Sequence, residues 1–121
     1  MSDSSTIVVI YPDWKMLTDM SALAAMGVML YGQVLASRPE VYAKACEVPI
    51  AEAESDEGAL AYLYSALNVG ELHNQLQIRS MSVGDLAVIR SRAYVVQAVG
   101  FRRVDAEAAP ILAKLGIAQA T

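Results

Sequence analysis

An α+β fold, with an antiparallel sheet of about five strands and two to three helices packed on it, is predicted by three features of the sequence. The first is a β-branched run near the start, Ile7-Val8-Val9-Ile10-Tyr11, closed by Pro12. That is the composition of a buried strand. The second is a helical stripe, Leu60, Leu63, Tyr64 and Leu67, introduced by acidic residues and stopped by Asn68 to Gly70. The third is a polar turn, Ser82-Val83-Gly84-Asp85, followed by two apolar runs separated by Arg90-Ser91-Arg92 and ending on Gly100-Phe101. Short β runs joined by tight turns make an antiparallel meander.

The elements follow in order. The first strand covers Ile7 to Tyr11. Asp13 then stands where its carboxylate can accept from the orphan amides of a first helical turn. Met16, Leu17, Met20, Leu23 and Ala24 recur at helical spacing, so a helix is predicted from about Asp13 to Met26, with Gly27 as a left-handed stop. The methionines are read as core filling. Val28 to Ala36, turning at Ser37 to Glu40 into Val41 to Val48, reads as a hairpin. The competing reading runs the first helix on through Gly27 and Gly32 to Leu35, at about 1 kcal/mol per glycine relative to alanine.

Pro49 to Glu57 reads as an acidic connector in which Ser55 or Asp56 caps a second helix, about Asp56 to Leu67. Glu71 to Arg79 reads as a loop. In the turn that follows, Ser82 and Asp85 bracket a Gly84 free to take a positive φ. Leu86 to Ile89 and Ala93 to Val99 are the next strands, and Gly100-Phe101 bends the chain into Arg102-Arg103-Val104. A last helix begins at Asp105 as its cap and ends at Gly116, with Pro110 inside it.

Length and composition bound the function. At 121 residues the chain reads as a single domain, 1–121, able to bury a core without disulfide or metal. Its 55% hydrophobic and 18% charged residues make it more apolar than the average soluble domain, which points to a covering partner. The apolar run Ala22 to Tyr31, broken by Gly27, falls short of the roughly 20 residues a membrane span needs. The polar N-terminus and the single cysteine, Cys46, are read as signs of a cytoplasmic protein in a reducing compartment. A net charge of −4 argues against general nucleic-acid binding, which needs a basic face.

No catalytic constellation emerges. His73 is the only histidine and has no metal-ligating companions at suitable spacing, so neither a metal nor another cofactor is expected. Cys46 reads as a strand thiol. Ser82 and Asp85 lack a base, and Gly100 stands outside any phosphate-binding loop. A non-enzymatic protein is expected. Trp14, Tyr31, Tyr42, Arg79 and the pair Arg102-Arg103 are the candidate partner-binding residues, because aromatic side chains and arginine dominate interface energetics.

The stretches Ser80 to Ile89 and Tyr94 to Phe101 resemble the YodL-like domain of phage, plasmid and other mobile-element proteins. The family pattern is a strand with a tyrosine and a glutamate, a helix with an aliphatic-tyrosine pair, an asparagine, a Ser-Leu-Ser-Val-Ser-Asp-Val run and a terminal Gly-Phe. Tyr42 and Glu47, Leu63-Tyr64, Asn68, Ser80 to Leu86 and Gly100-Phe101 match it in that order. The resemblance covers about residues 41–104, with 1–40 as an extension packed against it. Arg79 stands where the family often has histidine, and Gln97 where it often has aspartate.

The resemblance implies a mobile-element setting. With it, the expected function is a small protein-binding module that inhibits or regulates a host or element-encoded protein, anti-CRISPR or anti-restriction inhibition being its most concrete form. The alternative is a homo-oligomeric structural or accessory domain, paired through Ile7 to Tyr11 or Ala93 to Val99 across a two-fold axis.

Overall fold

The computed structural model describes residues 5–17, 22–50, 55–68 and 80–117, with the side chains of Ser5, Trp14, Ala22, Leu23, Ala24 and Met29 outside the description. Five strands form one antiparallel sheet: β1 (Ser5–Pro12), β2 (Tyr42–Ile50), β3 (Leu86–Ile89), β4 (Arg92–Val96) and β5 (Phe101–Arg103). Their order is β2-β1-β3-β4-β5. Four α-helices are described: α1 (Trp14–Leu17), α2 (Ala22–Tyr31), α3 (Asp56–Asn68) and α4 (Asp105–Leu115), with a 3-10 turn at Pro39–Val41. The α+β architecture is the one the sequence predicts.

β1 alternates between two cores. Ile7, Val9 and Tyr11 join Leu60, Leu63 and Leu67 of α3, whereas Ile10 joins Val28 of α2 and Ile111 and Leu112 of α4. A strand buried on both faces is selected for β-branched side chains throughout, which is why its sequence reads as a continuous apolar run. It pairs with β2 on one side and β3 on the other. β4 likewise lies between β3 and β5. Neither strand offered for two-fold pairing is therefore a sheet edge. The edges are β2, which carries Pro49 and a bulge that skips Ala45, and the short β5.

The N-terminal half departs most from expectation. Asp13 does cap α1, its Oδ1 accepting the Lys15 N–H at 2.9 Å. Helix α2, however, runs through Gly27, and the residue that ends it is Gly32, at φ 63. The predicted first hairpin strand is thus half helix, and its partner β2 pairs with β1 instead. A Cβ built at Gly27 would lie 2.7 Å from Gln33 Oε1, the end of an exposed and flexible side chain that can move aside. Residues 18–21, in the middle of the predicted first helix, lie outside the described residues, as does the predicted loop from Glu71 to Arg79 with His73 in it.

The remaining boundaries shift in smaller ways. β2 extends through Pro49 to Ile50, into the predicted connector. Pro49 is tolerated there because an edge strand does not need its N–H. Ser55 caps α3, with its Oγ accepting the Gly58 N–H at 3.1 Å. Asp105 does not cap α4; Val104 holds the cap position, and Asp105 Oδ1 accepts the Ala93 N–H at 2.8 Å, tying the helix start to β4. At the far end Gly116, at φ 71, lets the Ile117 N–H reach the Leu112 carbonyl. Pro110 sits in the exposed interior of α4 without ending it.

Tyr42 is 3% exposed, and its hydroxyl accepts the Leu35 N–H at 2.9 Å. Burial pushes its phenol above the ordinary value. It anchors the loop that leaves α2 and is a core residue rather than an interface anchor. Tyr42→Phe orphans a part-buried amide and is expected to cost about 1 kcal/mol in urea denaturation. A change under about 0.3 kcal/mol would mean that the loop does not depend on this bond.

Candidate peptide-binding groove

The turn of the β3–β4 hairpin consists of Arg90 and Ser91, both at positive φ (49 and 68). That is the geometry of a two-residue turn matched to the strand twist, held here by two non-glycine residues at some cost in strain. It sets Arg90, Arg92 and Tyr94 on the sheet face that α3 covers. All three converge on Asp56, in the first turn of α3. Arg92 Nη2 donates to Asp56 Oδ1 at 2.7 Å, Arg90 Nη1 donates to the same oxygen at 3.0 Å, and Tyr94 Oη donates to Oδ2 at 2.6 Å. Arg92 Nε completes a bidentate pair through Oδ2.

The Asp56 carboxylate is 15% exposed. The Arg92 guanidinium above all, then the Tyr94 hydroxyl and Arg90, hold its carboxyl well below the usual carboxylate range against the opposing effect of burial. Tyr94 moves the other way: burial and the hydrogen bond it gives Asp56 raise its phenol. The cluster therefore stays charged at any physiological pH. It works as a clamp, fixing the start of α3 to the hairpin.

Below the clamp α3 and the β4–β5 turn do not close on each other. They leave an open groove of about 890 Å³, lined on the helix side by Leu60, Ala61 and Tyr64, with Asp56 and Glu57 at the clamp end, and on the other by Tyr94, Gln97 and residues 98–101. The Tyr64 and Phe101 rings meet edge to face with centroids 6.4 Å apart. Val99, at the tip of the turn, is 91% exposed. Gly100 takes φ 75 in open space. Aromatic walls and an accessible apolar tip suit a hydrophobic side chain brought by a ligand.

The predicted site residues do not gather here. Phe101 and Gly100, read as structural motif residues, line the groove. Arg103 lies beside it, giving Nη2 to Asp105 Oδ2 at 2.7 Å. Arg102 is on the opposite face, bonded to Glu107 at 3.0 Å and reaching the Gly32 carbonyl at 3.4 Å, next to the exposed Tyr31. Trp14 begins α1, but its side chain lies outside the described residues, as does the whole of Arg79. Ser82 and Asp85 close a turn, the Ser82 N–H donating to Asp85 Oδ2 at 2.6 Å. Cys46 is half-buried on β2 with its thiol pushed up by burial.

Among the described residues no group of three or more His, Cys, Asp or Glu side chains could hold a metal ion. No described helix is long and apolar enough to cross a membrane. The clamp is not visible in the sequence reading, which takes Arg90-Ser91-Arg92 only as a turn. Its signal is the pair Arg92 and Tyr94, two apart on β4 and so on one face, with Arg90 added from the turn before them. Comparison with known proteins finds no matching family model, no similar curated protein and no similar solved structure.

Proposed function

We propose that this protein is a small, non-enzymatic protein-binding module with which a mobile genetic element inhibits or regulates a host protein. The observation that carries the binding role is the open groove between α3 and the β4–β5 turn, whose aromatic walls are held in place by the Asp56 clamp. A wall fixed by charge-assisted hydrogen bonds is preorganised, so binding need not include the cost of ordering it. The mobile-element setting rests on the resemblance of residues 41–104, and a defence effector such as a restriction or CRISPR enzyme is the most concrete target.

Affinity purification of the tagged protein from its bacterial host, with mass spectrometry of what remains bound, tests the reading. The expected result is one stoichiometric host protein on the wild-type bait and about tenfold less on Tyr64→Ala, which removes a groove wall from a 41% exposed position. Recovery of the bait alone would defeat the proposal. One feature favours the homo-oligomeric alternative: α2 has no charged side chain and exposes Met26, Leu30 and Tyr31. Light scattering on the free protein decides that reading, which requires a stable dimer and is lost if the protein is monomeric.

A further inference from the structure

Among the described residues the groove adjoins an unpaired sheet edge, β5. Within the β4–β5 ladder, the Gln97 N–H donates to the Gly100 carbonyl and the Val104 N–H to the Ala93 carbonyl. Val95 and Arg102 are paired between them. In an antiparallel ladder hydrogen-bonded pairs alternate with non-bonded ones, so Arg102 turns its N–H and C=O toward β4. Phe101 and Arg103 turn theirs outward. Among the described residues nothing pairs with those four groups. Phe101 lines the groove, and Arg103, two residues on, shares its face beside Tyr94.

We propose that β5 is a strand-addition site: an extended segment of the partner pairs with Phe101 and Arg103 as a sixth strand. The segment sets an apolar side chain in the groove and a carboxylate, two residues away, beside Arg103. The inference rests on the protein-binding reading and names the partner's chemistry. The main-chain groups of β5 supply register, and the pocket for alternate side chains supplies specificity. The charge follows from Arg103, which is 50% exposed beside the groove, whereas Arg102 lies on the opposite face against Glu107. Asp105 accepts from two nitrogens of Arg103, leaving further donors on that group for an incoming carboxylate.

The same geometry disfavours a second copy at this edge. In the register that pairs Phe101 with Arg103 of a second copy, Arg102 stands directly against its own counterpart. Like charges directly opposite destabilise a pair. The other edge is a poorer template, since Pro49 lacks an N–H and the bulge at Ala45 breaks the register.

The test is a display selection of random ten-residue peptides on the purified full-length protein, with binders measured by fluorescence polarisation. Enriched peptides are expected to carry an apolar residue two positions from a carboxylate. Arg103→Pro removes the outward N–H together with the charge, yet breaks no ladder bond, and is expected to weaken binding by about thirtyfold. Arg103→Gln keeps the N–H and should weaken it by only about threefold to tenfold.

On the wild type, bound peptide should slow hydrogen exchange at the Phe101 amide, a readout that stands even if Arg103→Pro fails to fold. Unaffected binding to Arg103→Pro, or a Phe101 amide left unprotected, overturns strand addition, and so does failure to enrich any peptide. Capture of a host protein in the purification above would then show that the broader binding role survives without it.

Discussion

Gly84→Ala is expected to lower the stability of the fold by about 2–4 kcal/mol. Two costs combine at this position. Gly84 sits at φ 96, a conformation that L side chains rarely adopt, and a Cβ built on it would lie 2.5 Å from the carbonyl oxygen of Val28 and 2.8 Å from its Cγ1. Neither obstacle yields cheaply. Val28 is 1% exposed in the last turn of α2, and its carbonyl is part of the helix main chain.

The turn itself is stitched into the sheet, because the Gly84 N–H donates to the Val96 carbonyl and the Val96 N–H to the Asp85 carbonyl. Relief must therefore come from α2 lifting off the sheet. Gly100→Ala separates the two costs. It has a comparable φ of 75 but nothing within 4 Å of the new Cβ, so it should lose only about 1 kcal/mol, the strain alone. Urea denaturation of both variants gives the difference. If Gly84→Ala were no worse than Gly100→Ala, the close approach of α2 to the turn would be wrong.

That contrast also explains what the sequence could and could not reveal. Strand β1, helix α3, the β3–β4–β5 meander and the Gly116 stop were legible because each is written locally, as a composition, a period or a turn residue. The glycines of α2 were not, because a glycine that ends a helix and one that the helix runs through look alike. Gly27 continues the helix, Gly32 ends it and Gly84 lies against Val28, and only the fold says which glycine does which. Gly84 takes the positive φ expected of a turn glycine, but its role as the seat of α2 depends on a partner more than fifty residues away in the chain.

Tyr42 illustrates the same limit. Its match to the family pattern and its aromatic character are equally consistent with an interface and with a core, and the bond to Leu35 puts it in the core. The groove was half visible, through Phe101 and Gly100, whereas its clamp joins residues 34 to 38 positions apart. No periodicity spans that distance.

The clamp yields the second large effect. Asp56→Ala leaves Arg90 and Arg92, 24% and 32% exposed, without their shared carboxylate, and should cost about 2–3 kcal/mol. That is less than for a fully buried network, since water can reach both guanidiniums. Arg92→Ala should cost less alone, and the double variant should fall short of the sum by at least about 1 kcal/mol, because both changes remove the same bidentate pair.

The pH dependence has a fixed sign. The folded state holds the Asp56 carboxyl below its unfolded value of about 3.9, so its contribution is fully present above that value and is lost as pH falls through the depressed folded one. Wild type should lose stability between about pH 4 and pH 2 more steeply than Asp56→Asn, which has no proton to take up. Parallel acid profiles would show that the clamp contributes nothing. Because the same carboxylate fixes the start of α3 against Tyr94, Asp56→Asn should also weaken host-protein capture at neutral pH while the chain stays folded. Loss of capture without loss of fold would tie the clamp to the shape of the groove, whereas unchanged capture would limit it to stability.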